Sequence, residues 1–197
     1  MGSAHQLAAL ARRLNRDAGS PAIPALFFFT DPKRTPDPVA AAKTLPRGTA
    51  MVYRHFGATD RAHVARQLAT ICRSRALTLL IAADPELARR VGADGVHWPE
   101  ARVVARVGPG LMAAAAHNAD AVARAAACGA SACILSPVFP TRSKPRREPL
   151  GVFRAGQLAR ASAIPVIALG GVNTRTARLL AGRGFAGVAA IDALMDD

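Results

Sequence analysis

Apolar, β-branched runs that alternate with stretches of helical spacing constrain this chain more than any other feature. The runs occupy residues 25–30 (ALFFFT), 50–55 (AMVYRH), 77–82 (LTLLIA), 95–98 (GVHW), 111–116 (LMAAAA), 132–136 (ACILS), 165–169 (PVIAL) and 187–191 (GVAAI). Helical patterns lie between them at 38–43, 61–74, 85–90, 101–106, 119–128, 153–161 and 175–181. A leading helix over about residues 5–15 carries Leu7, Leu10 and Leu14 on one face. Strands apolar on both faces belong in a parallel sheet covered on both sides, and eight βα units in a row predict closure into a barrel. The predicted fold is therefore α/β: a single (β/α)8 TIM barrel with core 25–194, an extra N-terminal helix and a truncated last helix, since only six residues follow Ile191.

Glycines at 92, 129 and 184 stand where a helix ends and the next strand begins, the place for a left-handed cap. The connection 137–149, PVFPTRSKPRREP, is proline-rich, basic and longer than an ordinary βα link, and a long loop in a compact barrel usually carries function.

At 197 residues the chain suits one domain that buries roughly two-thirds to three-quarters of its unfolded surface. Cys72, Cys128 and Cys133 form neither an even set nor a CxxC clip, so they read as reduced, structural thiols. No apolar run reaches the roughly 20 residues of a membrane span, and the N-terminus lacks the apolar core of a secretory signal; a cytoplasmic protein without a membrane partner is expected. The formal charge of +13 favours anionic partners, although an arginine-rich solvated surface gives the same number. One Tyr and one Trp, with no aromatics interleaved among the arginines, leave no stacking platform for bases, so the expected partner is a phosphorylated small molecule and not nucleic acid.

In barrels of this class reactive groups project from the C-terminal strand ends. Read that way, the chain offers Thr30 and Asp31, Arg54 and His55, Ala82 to Asp84, His97 and Trp98, His117, Ser136 with the long loop, Gly170-Gly171, and Asp192. Histidine gives and takes protons near neutral pH, which suits isomerisation, elimination or hydrolysis. His55 and His97 also read as hydrogen-bonded structural rings, whereas His117 follows four small residues that leave room for a ligand. Thr141, Ser143 and Lys144, with Arg142, supply two hydroxyls and two cations for phosphate oxygens. Gly170 and Gly171 allow close backbone approach, and a helix starting near Asn173-Thr174 would aim its N-terminus at the same point. No HxH or HxxxH pair and no acidic cluster marks a metal site, so no metal ligand and no cofactor is read from the spacing.

The segments VGADGVHWPE (91–100), AAHN (115–118), GASACILSPVFPTRSK (129–144), IPVIALGGV (164–172) and GFAGVAAI (184–191), in this order, resemble the thiamine phosphate synthase and TenI (thiazole tautomerase) family over about residues 26–194. The resemblance implies a (β/α)8 barrel and leans toward a homodimer. It also implies that Thr141 and Ser143 bind a thiazole phosphate, that Lys144 meets a pyrimidine pyrophosphate in the synthase, and that Gly171 offers backbone to the phosphate. Arg54 matches the arginine of the synthase QxRxK segment, but Val52 and Phe56 replace its Gln and Lys.

Other positions depart from the synthase pattern. Its Asn-Asp pair is Ala82-Ala83 here, and the aspartate following the HxGQ segment has no clear counterpart in His97-Trp98-Pro99-Glu100-Ala101. Those aspartates hold the magnesium that neutralises the leaving pyrophosphate, which alanine cannot do. The serine before the family histidine is Ala115, and the phosphate-binding serine after the last strand is Asp192. Tautomerases lack the magnesium chemistry and use a histidine in the segment matching Ala116-His117.

The pattern thus favours a metal-independent thiazole tautomerase in which His117 shuttles the proton. Arg54 and His97 would meet the substrate, and Thr141, Ser143, Lys144, Gly170 and Gly171 would hold its phosphate. The alternatives are a synthase that uses Mg2+ through shifted ligands such as Asp84 and Glu100, and a non-catalytic barrel that binds a phosphorylated ligand.

Overall fold

The computed structural model describes residues 2–106, 108–141 and 147–195. Eight parallel strands close into a barrel in chain order: β1 (Leu26–Phe29), β2 (Ala50–Tyr53), β3 (Thr78–Ala82), β4 (Gly95–Trp98), β5 (Leu111–Ala116), β6 (Ala132–Leu135), β7 (Val166–Ala168) and β8 (Phe185–Ala190). Outside it lie α1 (Ser3–Asp17), α2 (Pro38–Thr44), α3 (Arg61–Arg75), α4 (Pro85–Val91), α5 (Ala119–Ala127), α6 (Val152–Ala161) and α7 (Thr174–Arg178). Every predicted strand exists.

Alternation along each strand sorts the apolar side chains into two layers. Phe27, Phe29, Val52, Leu80, Ile134 and Ile167 fill the barrel interior together with alanines such as Ala50, Ala82, Ala113 and Ala132. Phe28, Met51, Tyr53, Leu79, Ile81, Leu135 and Val188 face the helices. Many small residues share the interior with two phenylalanines, so the barrel is a packed core and not a pore.

Sequence signals explain most helix boundaries. Asp37 and Asp84 cap α2 and α4 by accepting from Ala40 N and Leu87 N, each with proline in the first turn, and Gly92 ends α4 in the left-handed conformation. One predicted helix is absent. Residues 101–106 hold only a short 3-10 turn at Glu100–Arg102, after which the backbone of Val103 is extended. Consecutive β-branched residues at 103–104, with Gly108-Pro109-Gly110 close behind, leave too little helix-forming sequence.

Among the described residues, β8 is followed by a 3-10 turn at Asp192–Leu194. Helix α1 packs against β8, α7 and this turn, with Leu7, Ala11 and Leu14 buried. Asn15 fastens it by donating to Ile23 O (3.1 Å) and Ala186 O (2.9 Å), so the leading helix covers the sheet that a full eighth helix would cover.

Candidate active site at the strand ends

On the β4–β5 side of the rim, His117 follows β5 directly and precedes Asn118, whose side chain caps α5 by accepting from Ala121 N at 2.8 Å. The β4–β5 register pairs His97 with Ala113 and Trp98 with Ala114. Carried three residues beyond His97, it sets the turn at Glu100 level with Ala116, next to His117. There Glu100 Oε2 and His117 Nδ1 lie in hydrogen-bond contact, and Glu100 Oε1 pairs with Arg124 Nη2 of α5 (3.3 Å). His117 and Glu100 are each about one-quarter exposed, open enough for a ligand and buried enough to hold geometry.

His97 projects from β4 into the barrel mouth, where its ring meets Phe29 edge-on at 5.0 Å. The Arg54 guanidinium lies over the same Phe29 ring at 5.4 Å. Burial, with help from the Arg54 charge, pushes the His97 pKa down to about 3, so the ring is neutral at ordinary pH. Its Nδ1 is buried and has no hydrogen-bond partner among the described residues. Arg54 is tied to β1 by its Nε donating to Thr30 O (2.9 Å) and by an ion pair with Asp31 (3.6 Å). His55 takes a different place: its ring packs at 5.2 Å from Tyr53, which faces the helices, and burial lowers its pKa.

On the β1–β3 side, charged groups are committed to one another. Burial raises the Asp31 pKa, but amides of Lys33 and Arg34 and the guanidiniums of Arg34 and Arg54 outweigh it and hold the carboxyl below the usual range. Arg34 spans from Asp31 (3.7 Å) to Asp192 (3.3 Å), so the exposed Asp192 carboxylate faces a cation. Arg61 of α3 donates to Ala82 O at 2.8 Å and pairs with Asp84 at 3.2 Å.

These residues do not fit a magnesium ion. Ala82 and Ala83 bring no oxygen side chain, both Asp84 oxygens serve Leu87 N and Arg61, and both Glu100 oxygens serve His117 and Arg124. Among the described residues no group of three or more His, Cys, Asp and Glu side chains is gathered as a metal site.

The glycine pair after β7 has a structural reason that the sequence reading missed. A Cβ on Gly170 would lie 2.7 Å from Pro137 Cβ, and one on Gly171 would lie 2.4 Å from Pro140 O and 2.8 Å from Phe139 Cβ. Both residues have positive φ, 94° and 63°. The base of the long loop docks there through backbone hydrogen bonds: Val138 N donates to Leu169 O (2.9 Å) and Phe139 N to Gly170 O (3.0 Å), while Leu150 N and Gly151 N close the loop base onto Pro137 O and Val138 O. The close backbone approach is thus made by the chain itself, and it sets Pro140, next to Thr141, on Gly171. Ser143 and Lys144 lie outside the described residues. The next helix begins at Thr174, where the sequence placed it. Helix α7 has five residues, and Asn173 already accepts from Arg175 N and Thr176 N.

The thiols are unpaired; Cys72 and Cys133 are buried, and burial raises both pKa values to about 12, so they are structural. A cavity of about 520 Å3 opens at the opposite end of the barrel between Arg12, Arg16, Ile23, Thr78 and Leu111. It holds no acid–base pair, and that end of such barrels serves stability. Among the described residues, no helix is long and apolar enough to cross a membrane.

A parallel eight-stranded barrel that gathers a hydrogen-bonded histidine and paired arginines at its C-terminal rim has the architecture in which small-molecule enzymes place their sites. Residues 26–194 match the family described as thiamine monophosphate synthase, and the chain belongs to that family of thiamine biosynthesis. It is 28% identical over 196 residues to a thiamine-phosphate synthase of Bacillus velezensis, a match covering 92% of this chain and 88% of that one. It is 32% identical over 142 residues to the thiamine-phosphate synthase of Geobacillus kaustophilus, covering 68% of this chain and 64% of that protein. The solved thiamine phosphate pyrophosphorylase from Pyrococcus furiosus superposes with a TM-score of 0.72 over 95% of this chain and 90% of that one at 21% identity, a likeness of fold.

Proposed function

We propose that the rim catalyses a metal-independent proton transfer on a thiazole carboxylate phosphate, the reaction of a thiazole tautomerase. His117 removes a proton at one position of the substrate and returns it at another, so that the ring becomes aromatic with no net change in atoms or oxidation state. Arg54 receives the carboxylate, and neutral His97 offers a ring nitrogen in the barrel mouth. The phosphate rests on Thr141, Ser143 and Lys144 of the loop whose base packs on Gly170 and Gly171.

The observation that carries this reading is the contrast between His117, held by Glu100, and the alanines at the β3 end, where a magnesium-binding enzyme needs carboxylates. The test is turnover by a His117→Ala protein that keeps its fold. A loss of about 10²- to 10⁴-fold is expected for removal of an acid–base group; wild-type turnover would end the reading.

A second reading, thiamine phosphate synthesis, is favoured by the names of the relatives. Its test is coupling of thiazole phosphate with hydroxymethylpyrimidine pyrophosphate under added Mg2+. Product formation at an enzymatic rate would establish it.

A further inference from the structure

We infer that Glu100 is a positioning residue that fixes the tautomer of His117, placing the ring proton on Nδ1 and leaving the Nε2 lone pair for chemistry. This deepens the proton-transfer reading above and rests on it for its catalytic consequence, though not for its structural one.

The argument starts from what surrounds the carboxylate. Two nitrogens face Glu100: His117 Nδ1 lies at Oε2, and Arg124 Nη2, which can only donate, lies at Oε1. An ionised carboxylate only accepts, so against it a neutral imidazole must carry its proton on Nδ1. The other ring nitrogen is then an acceptor, as a general base requires. An imidazole free in water prefers the opposite arrangement, with the proton on Nε2, so the preference must come from the partner.

The framework makes this partner rigid. Glu100 begins a 3-10 turn directly behind β4, and His117 lies between the end of β5 and the capping residue of α5. Arg124 projects from the same α5, so Glu100 is held from two points of one structural unit. Half-buried, the pair is shielded from competing water.

The same geometry says why an amide would not serve. With Gln at position 100 a single carbonyl oxygen replaces two acceptors, and where it turns to the half-exposed Arg124 the amide NH2 faces His117. Nδ1 must then accept, the proton moves to Nε2, and the base is lost.

The experiment compares wild type, Glu100→Gln and Glu100→Asp. Nitrogen-15 NMR of the His117 ring in the resting protein reads the tautomer without any substrate, and circular dichroism checks that each variant is folded. Wild type and Glu100→Asp are expected to carry the proton on Nδ1, and Glu100→Gln to shift it to Nε2. With thiazole substrate, Glu100→Gln is expected to lose about 10- to 100-fold in kcat with little change in KM, as for a lost orienting contact.

A tautomer distribution in Glu100→Gln identical to that of wild type overturns the inference, whatever the activity. A shifted tautomer in proteins that never turn over thiazole supports the positioning role and removes the proposed reaction instead.

Discussion

The two halves of the rim are built from the same residue types and use them differently. Between β1 and β3, carboxylates and guanidiniums neutralise one another: Asp31 and Asp192 hold Arg34, Asp31 also holds Arg54, and Asp84 holds Arg61. Between β4 and β5, Glu100 pairs with Arg124 but also meets a histidine, His117. A charge answered by a fixed opposite charge stabilises a loop, whereas a carboxylate hydrogen-bonded to an imidazole stores a proton-transfer geometry. The fold supplies both with the same strand-end positions, so the pairing, and not the position, separates scaffold from chemistry.

The largest effect is expected where the second half leans on its support. Gly171→Ala puts a Cβ against Pro140 O at positive φ, and the strain plus the clash should cost about 2–4 kcal/mol and release the long loop. Urea unfolding of the variant measures this, and a loss under about 0.5 kcal/mol would show that the loop does not depend on the glycine.

Next comes the boundary between the halves, where His97 touches Phe29 beneath Arg54. The native ring stays neutral to about pH 3 while the unfolded chain takes up a proton near pH 6.5, so stability present above that pH is lost on acidification through this window. His55, lowered by burial, acts in the same direction. The slope due to His97 alone reaches about 1.4 kcal/mol per pH unit. Denaturation at a series of pH values should give a flatter dependence for His97→Leu than for wild type; coincident slopes would mean the ring is not held neutral.

Smaller effects test whether the β1–β3 carboxylates are scaffold. Asp84→Ala removes the α4 cap and the Arg61 partner, a loss of about 1 kcal/mol in thermal or urea unfolding, with turnover unchanged. Loss of turnover without loss of stability would move Asp84 into the chemistry. Smallest of all, Ala83 sits at φ 52°, a conformation that asparagine tolerates better than alanine, so Ala83→Asn should stabilise by a few tenths to about 1 kcal/mol. A destabilised variant would mean that the pocket beside Arg61 has no room for a polar side chain.

The barrel was legible because its signal is repetitive: eight apolar runs and seven intervening patterns survive an error in any one of them, as the absent helix at 101–106 shows. Single contacts were not. Glu100 was visible only as an acid near a strand end, because its pairing with His117 depends on the β4–β5 register, which no local pattern encodes. Asp192 read only as a replacement for the family serine; its contact with Arg34, 158 positions away in sequence, was not visible. The PVFP and LGGV segments were recognisable as motifs. That each exists partly to pack on the other is a property of their contact and cannot be read from either alone.

The contrast between the halves predicts chemistry that runs without a metal. The most direct measurement is the rate of thiazole carboxylate phosphate tautomerisation by the wild-type protein before and after exhaustive chelation of divalent cations. Turnover that is unchanged by the chelator is the expected result. Turnover that vanishes on chelation and returns with Mg2+ would contradict the account, and would mean that carboxylates assigned here to scaffold are metal ligands in the working enzyme.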